Sequence, residues 1–176
     1  MRRRKEGGFT LVEVLVVAAI VAILAGVLVP MIFSQIDEAR ISRAKGDLRA
    51  ISSSILTFRK DVGRWPACNG VTFLKGEGND AVAASGGVGY DVTTPQKFSD
   101  HLVEDSFACY DPNMWKGPYI GPVDADPWGN QYFLNAAGLA TAGKRVFVLS
   151  AGPDGTVETG PDDTSVAATD IGIAIK

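Results

Sequence analysis

An uninterrupted apolar stretch near the amino terminus constrains this chain more than any other feature. It covers residues 7–33, and residues 14–29 carry no polar side chain at all. The stretch therefore reaches the ~20 apolar residues that cross a bilayer as a helix. A cationic block stands directly before it: Arg2, Arg3, Arg4 and Lys5. Because such blocks stay on the cytoplasmic side, we expect the chain after residue 33 to be exported.

One acidic residue, Glu13, lies within the apolar stretch. An ionised carboxylate in hydrocarbon costs about 3 kcal/mol on insertion scales, so Glu13 should lie near an interface, be protonated or be paired. A glutamate at headgroup depth without a role is the simplest alternative. Pairing needs a cation, and the stretch itself contains none. Cleavage after Gly8 would create one, because the freed α-amino group of Phe9 would lie at the same depth, in the same helix or in a neighbouring copy.

The residues GGFTLVE at positions 7–13, between the basic block and the long apolar run, resemble the amino terminus of type IV pilins and type II secretion pseudopilins. This resemblance implies that a prepilin peptidase cleaves after Gly8 and methylates the amine of Phe9. It also implies that Glu13 assists subunit addition by pairing with that amine of an adjacent subunit. An ordinary secretory signal is cleaved after its apolar run. Here the expected cut precedes the run, so the hydrophobic helix would remain in the mature protein.

A second pattern extends this helix beyond the apolar stretch. Apolar residues recur at steps of three and four along one face: Ile41, Ala44, Leu48, Ile51, Ile55, Phe58 and Val62. Charged residues fill the opposite face, which is typical of an amphipathic helix. We therefore predict one continuous helix over residues 9–62. Gly63 and the Trp65-Pro66 pair should end it.

Gly26 and Pro30 interrupt the apolar stretch. Proline lacks an N–H and crowds the carbonyl four residues back, which is that of Gly26, so the helix should kink or loosen there. A tolerated membrane-helix proline is the alternative. The family resemblance favours a hinge, because pilin-family filaments show local melting in this region.

Two cysteines, Cys68 and Cys109, lie in the exported part, where an oxidising compartment allows a disulfide. Closing a loop of roughly 40 residues would stabilise the fold by about 3 to 4 kcal/mol. Two buried free thiols are the alternative. The glycine-rich sequence between them predicts an irregular loop with a short helix over residues 95–103. Its apolar side chains should face inward: Phe98, Leu102 and Val103.

The carboxy-terminal part of the chain predicts a small β-sheet. Residues 131–135 and 144–149 are expected to form a hairpin connected by residues 138–143. DPWGN at positions 126–130 predicts a tight turn that holds Trp128 over the core. The strands would pack on the apolar face of the long helix. The predicted fold class is therefore α+β, with a long amino-terminal helix packed on a small carboxy-terminal antiparallel sheet, as in type IV pilins.

Three motifs in this part narrow the resemblance. WKGPYI, DPWGNQY and SAGPDG, in that order, look like the carboxy-terminal half of the major pseudopilin of type II secretion. Trp65-Pro66 stands where that family has a Tyr-Pro pair. The departures are a longer, cysteine-bearing insert between residues 68 and 113 and an extended stretch between residues 155 and 170.

The acidic loop at residues 150–171 is a candidate calcium site. Calcium prefers six to eight oxygens from carboxylates, carbonyls and water on a flexible loop. The spacing does not fit an EF-hand, and by composition alone a solvated acidic loop is the simpler interpretation. The pseudopilin family has a calcium site in this loop, so the resemblance implies bound Ca2+. Its expected ligands are Asp154, Asp162 or Asp163, Asp170 and the carbonyl of Ala151.

Length and charge limit the organisation of the chain. The part beyond the membrane segment, about 140 residues, allows one modest globular domain. The formal net charge of −3 includes the basic leader, so the exported part is acidic and offers no footprint for nucleic acid. We divide the chain into a cleaved leader (1–8), a transmembrane or filament-core helix (9–33), an amphipathic helix (34–62), a variable glycine-rich loop region with the cysteine pair (63–113), and a carboxy-terminal β-sheet and calcium-loop region (114–176).

These features predict a structural subunit and not an enzyme: a major pseudopilin that polymerises into a short periplasmic filament of type II secretion. It would cross the bacterial inner membrane once, with its amino terminus in the cytoplasm. Expected partners are further copies of the chain, prepilin peptidase, minor pseudopilins, the inner-membrane assembly platform and, before assembly, lipid. A type IV pilin of a surface pilus is the alternative. A tethered enzyme is disfavoured because His101, the single histidine, should only be a surface or packing residue.

Overall fold

A computed structural model describes residues 8–86 and 88–176, so that the predicted leader lies outside the described residues except for Gly8. The chain divides into two compact units, Met1–Ala39 and Arg40–Lys176. The helices are α1 (Leu11–Val62), α2 (Ala81–Ala84), α3 (Ser99–Leu102) and α4 (Ala136–Ala140), with a 3-10 turn at Gly152–Asp154. The strands are β1 (Phe73–Lys75), β2 (Pro95–Lys97), β3 (Phe133–Asn135), β4 (Phe147–Ser150) and β5 (Ile171–Ala174).

The first helix confirms the continuous helix that the two apolar patterns predict. It ends at Val62, and Gly63 follows in the left-handed region with φ of 78°. Among the described residues, α1 is the one helix long and apolar enough to cross a membrane, by length and composition. Its helical backbone continues through Gly26 and Pro30, and the hinge there stays a prediction.

The five strands of the second unit form one mixed sheet in the order β2-β1-β3-β4-β5. The predicted α+β class is confirmed, but the sheet is not antiparallel throughout, because β1 and β2 run parallel. The connection between these two strands includes α2. A long crossover of this kind permits parallel pairing, whereas a tight turn joins only antiparallel strands.

Side chains of the sheet alternate between two buried clusters, because successive residues of a strand point to opposite faces. Leu74, Leu134 and Val148 belong to one cluster. That cluster contains the predicted apolar face of α1: Ala44, Leu48, Ile51, Ile55, Phe58 and Val62. The second cluster contains Phe73, Phe133 and Leu149 together with the loop residues Tyr90 and Val157. The sheet is therefore covered by α1 on one face and by α2 and loops on the other.

The hairpin is confirmed with shorter strands. β3 and β4 pair antiparallel, with Phe133 opposite Leu149 and Leu134 opposite Val148. The connection is not a simple loop, since it contains α4. Asn135 caps that short helix by accepting a hydrogen bond from the Gly138 N–H at 3.1 Å.

The region predicted as an irregular loop contributes two strands to the sheet. Pro95–Lys97 pairs with β1, so the helix predicted over residues 95–103 is restricted to Ser99–Leu102. A proline without an N–H is tolerated there because β2 is an edge strand. Phe98 and Leu102 are buried as predicted, while Val103 is only half-buried.

Cys68 and Cys109 are joined in a disulfide, with their Cα atoms 6.3 Å apart. The side chain of Arg64 donates a hydrogen bond to the Cys109 carbonyl at 2.9 Å. The neighbouring Tyr110 ring packs edge-on against Phe58 of α1, with ring centroids 4.8 Å apart. The disulfide therefore lies beside the point at which this segment meets the helix.

His101 is a packing residue and is fully buried. Its Nδ1 lies 2.7 Å from the Tyr110 hydroxyl and its Nε2 lies 2.7 Å from Oε1 of Gln96. Because the amide oxygen can only accept, Nε2 carries the proton and the tyrosine donates to Nδ1. Burial lowers the pKa of His101, against the opposing influence of the Asp100 and Asp105 carboxylates.

Candidate functional site

The start of α1 carries the residues that the sequence assigns to processing and assembly. Gly8 and Phe9 precede the helix in non-helical chain, and both are exposed. Phe9 is 89% exposed, and apart from the chain neighbours of Gly8 no atom of the described residues lies within 4 Å of the position that a Cβ on Gly8 would take. The peptide bond between them is therefore sterically accessible from solution.

Thr10 and Glu13 form a reciprocal capping box at the same helix terminus. Oε2 of Glu13 accepts hydrogen bonds from the Thr10 N–H and the Thr10 hydroxyl, both at 2.8 Å. The Glu13 N–H in turn donates to Oγ1 of Thr10 at 3.2 Å. Such a box satisfies backbone donors that the first helical turn leaves free. Oε1 of Glu13 makes no hydrogen bond with any described residue.

Thr10 is a site residue that the sequence reasoning missed. The signal was present as T-x-x-E directly before an apolar run, which is the pattern of a capping box. The resemblance implies a role for the charge of Glu13 between subunits. In the structure, the same carboxylate also accepts a hydrogen bond from the Thr10 N–H at the start of its own helix.

Asp170 is the most unusual residue of the acidic loop. It directly precedes β5 and is only 7% exposed. Its Oδ2 accepts the backbone N–H groups of Glu158 and Thr159, at 3.0 and 2.6 Å. Its Oδ1 is buried and has no hydrogen-bond partner. Buried carboxylate oxygens are nearly always paired, so this atom is a candidate ligand for a bound cation.

Tyr90 and Asp163 lie around the same part of the loop. The Tyr90 hydroxyl donates to the Thr159 carbonyl at 3.0 Å. Burial raises the pKa of the Tyr90 phenol, and the charges of Asp170 and Asp163 raise it further. Asp163 also accepts the Gly160 N–H at 2.6 Å. Two carboxylates thus act electrostatically on one buried phenol.

The other expected metal ligands are held differently. Asp162 forms an ion pair with Lys144, with Nζ and Oδ1 2.6 Å apart. Asp154 is exposed and accepts the Thr156 N–H at 3.1 Å. Ala151 is fully buried and directly precedes the 3-10 turn.

The loop therefore offers the right donor chemistry without a preformed cage. In the part of the chain that the structure describes, no three acidic, histidine or cysteine side chains converge as a metal-binding group. Carboxylate and carbonyl oxygens are nevertheless the donors that calcium prefers. Among the described carboxylate oxygens of this loop, Oδ1 of Asp170 is the one that is both buried and without a hydrogen-bond partner.

Asp126 is a second residue that the sequence reasoning missed. It is 4% exposed, and its Oδ1 accepts the N–H groups of Trp128 and Asn130, at 3.0 and 2.8 Å. Its Oδ2 accepts the Ser150 hydroxyl at 2.6 Å. The predicted turn is thereby joined to the end of β4, where the acidic loop begins. An Asp followed by Pro signals a turn, but nothing local signals the bond to Ser150.

An amino-terminal processing motif before a long apolar helix, followed by a small α+β unit, defines the class of type IV pilin-like subunits. Residues 3–29 match the prokaryotic N-terminal methylation motif, and residues 93–169 match type II secretion system protein G. The chain is 30% identical over 172 residues to the type II secretion system core protein G of Pseudomonas aeruginosa, covering 97% of this chain and 99% of that protein. It therefore belongs to the type II secretion system protein G family, the major pseudopilins.

Other relatives agree. The type II secretion system core protein G of Aeromonas hydrophila is 30% identical, with 93% of this chain and 92% of that protein covered. The Vibrio cholerae protein of the same name is 29% identical, with 92% of each chain covered. A structural subunit of type II secretion is thus supported over the alternative of a surface pilus.

Proposed function

We propose that this chain is cleaved between Gly8 and Phe9 by a prepilin peptidase, methylated on Phe9, and polymerised into a short periplasmic filament that drives secretion of folded proteins. The observation that carries the proposal is the apolar surface of the first unit. Its large apolar side chains are exposed, from 41% at Ile36 to 89% at Phe9. A surface of this kind needs lipid around it before assembly and other copies of the chain afterwards.

In this mechanism, Glu13 sets the depth in the membrane at which a neighbouring subunit aligns. The capping box occupies Oε2, and Oε1 stays available for the methylated amine of Phe9 in an adjacent subunit. An ionised carboxylate in hydrocarbon costs about 3 kcal/mol, so pairing with a second copy removes a penalty that the single subunit carries. The chain thereby favours addition of a neighbour at one depth in the membrane.

The proposed topology follows from the basic block before the helix. The amino terminus lies in the cytoplasm, the apolar helix crosses the inner membrane once, and the second unit lies in the periplasm. The partners in assembly are minor pseudopilins and the inner-membrane platform. The role is mechanical, and the energy for assembly comes from a separate cytoplasmic ATPase.

A charge-neutral variant tests the assembly mechanism. Glu13→Gln should leave cleavage and methylation intact but abolish filaments and secretion, with Glu104→Gln, an exposed glutamate of the second unit, as the matched control. Mass spectrometry of the membrane-extracted protein reports cleavage and methylation, and cross-linking between copies reports assembly. Normal filaments from Glu13→Gln, or a functional chain that keeps its first eight residues, would refute the mechanism.

We also propose that the acidic loop binds Ca2+. The buried, unpartnered Oδ1 of Asp170 supports this assignment. Asp154, either Asp162 or Asp163, and the Ala151 carbonyl would complete the oxygen set. A bound calcium ion would supply a divalent charge that offsets the loop carboxylates. Asp170 already orders the loop by holding two of its N–H groups, so the same residue links metal binding to the start of β5.

Thermal unfolding in calcium and in EGTA tests this second proposal. Calcium at 100 times its dissociation constant should stabilise the folded chain by about 2.7 kcal/mol. Asp170→Asn should remove the calcium-dependent shift, while Asp91→Asn, an exposed carboxylate in another loop, should keep it. Identical melting of the unmodified chain in calcium and EGTA would remove calcium from the proposed function.

A further inference from the structure

Two consecutive basic residues just before β4 hold the acidic loop. Nζ of Lys144 lies 2.6 Å from Oδ1 of Asp162. Nη1 of Arg145 donates a hydrogen bond to the Thr164 carbonyl at 3.1 Å. The Lys144 side chain is 26% exposed, whereas that of Asp162 is 85% exposed. The Lys144 side chain is therefore largely packed against the fold, whereas the Asp162 side chain is open to solvent.

The Lys144–Asp162 ion pair brings a cation to a loop that is acidic and has none of its own. Residues 150–171 contain five carboxylates and no basic residue. Among the described residues, Lys144 is the only cation in an ion pair with any of them. Asp163, Asp154 and Asp170 are instead held by backbone N–H groups of the loop itself. One of the candidate metal ligands is thus already neutralised by the protein's own cation.

The unpartnered Oδ1 of Asp170 shows that this internal cation does not satisfy the whole loop. That atom is buried without a donor, while the exposed Asp162 has one. The Lys144 contact therefore neutralises Asp162 and leaves Oδ1 of Asp170 without a hydrogen-bond partner.

We propose that Lys144 is a built-in competitor for a divalent cation at Asp162. The inference rests on the proposed calcium site. Calcium bound to Oδ1 of Asp162 at 2.3 to 2.6 Å would lie beside the ammonium that is 2.6 Å from the same oxygen, and the two positive charges repel one another. Binding of Ca2+ through Oδ1 of Asp162 therefore works against the Lys144 contact. Lys144 lowers the calcium affinity of the loop and keeps the loop partly ordered when calcium is absent.

The magnitude is limited by the exposure of the pair. Ion pairs with an exposed partner are worth about 0.2 to 1 kcal/mol. Removing the competitor should therefore tighten calcium binding by about 1.4-fold to fivefold.

Calcium titration of the full mature chain in detergent micelles tests the proposal, with isothermal calorimetry as the readout. Lys144→Met keeps the apolar stem and removes the charge, and Lys116→Met, an exposed lysine outside the loop, is the matched control. Lys144→Met should bind calcium more tightly and melt at a lower temperature in EGTA. Lys116→Met should change neither quantity. In an Asp162→Asn background, Lys144→Met should have no further effect on calcium affinity.

The outcomes separate this inference from the calcium proposal itself. Equal or weaker calcium binding by Lys144→Met, with binding by the unmodified chain intact, would overturn the competitor role alone. A tightening that persists in Asp162→Asn would also overturn it, because the lysine would then act as a distant charge. Absence of calcium binding in every variant would overturn both.

Discussion

Replacing Asp126 tests how the second unit is held together next to the acidic loop. Its carboxylate accepts two backbone N–H groups of the DPWGN turn and the hydroxyl of Ser150. Asp126→Ala would leave the N–H groups of Trp128 and Asn130 without acceptors in a poorly solvated position. Each such loss costs about 1 to 3 kcal/mol, so for the two groups together the free energy of unfolding should fall by about 2 to 6 kcal/mol.

Smaller changes at the same place should cost less. Asp126→Asn keeps Oδ1 for the two N–H groups and alters only the contact with Ser150, so a loss of about 1 to 2 kcal/mol is expected. Asp124→Ala is the matched control, because Asp124 is exposed and makes no hydrogen bond with the described residues. It should change stability by less than about 0.5 kcal/mol.

Thermal unfolding of the mature chain in detergent, followed by tryptophan fluorescence and near-ultraviolet circular dichroism, measures these differences. For a chain of this size each 1 kcal/mol corresponds to about 2 to 4 °C in melting temperature. Asp126→Ala should therefore melt about 4 to 24 °C lower. If it melted within about 2 °C of the unmodified chain, the three hydrogen bonds would not stabilise the fold as argued.

Three further predictions concern the second unit. Reducing the Cys68–Cys109 disulfide should destabilise the chain by about 3 to 4 kcal/mol, and a Cys68→Ser, Cys109→Ser variant should not respond to reductant in the same melting assay. Burial lowers the pKa of His101 in the folded protein, so the neutral imidazole stabilises the fold at pH values above its unfolded pKa of about 6.5. This stabilisation is lost as the pH falls through the lower pKa of the folded state. His101→Gln should therefore flatten the loss of melting temperature between about pH 7 and 5, and an unchanged slope would contradict this assignment. Gly152→Ala should lower the free energy of unfolding by more than about 2 kcal/mol, because Gly152 has φ of 71° and a Cβ there would collide with the Thr169 carbonyl. The control Gly143→Ala, at φ of 75° in open space, should cost only about 1 kcal/mol.

The long helix could be predicted because its signals are local. Apolar content and a three-to-four spacing specify both α1 and the face that it buries, and Gly63 marks its end. The processing and assembly roles of Gly8, Phe9 and Glu13 stay predictions, and they rest on one short motif that is also local in sequence. The T-x-x-E spacing in the same motif is enough to predict the capping role of Thr10.

The sheet could be predicted only in part. The β3–β4 hairpin joins strands close in sequence, so alternation and turn residues indicated it. Strands β1 and β2 are three residues long and lie in a glycine-rich segment, so no periodic signal exists over such a length. Their parallel pairing depends on a crossover whose path is set by the packing of the second cluster.

The sequence by itself determined the class of this protein: one apolar helix with a single acid near its start, a cleavage motif before it, and an amphipathic continuation that requires a small domain to cover it. Only the tertiary structure decided which side chains meet across the second unit. Asp126 contacts Ser150 across 24 residues, and Lys144 is held against Asp162 by the course of the chain around β4. These contacts join residues far apart in sequence, and their geometry arises from the packed sheet rather than from any local preference.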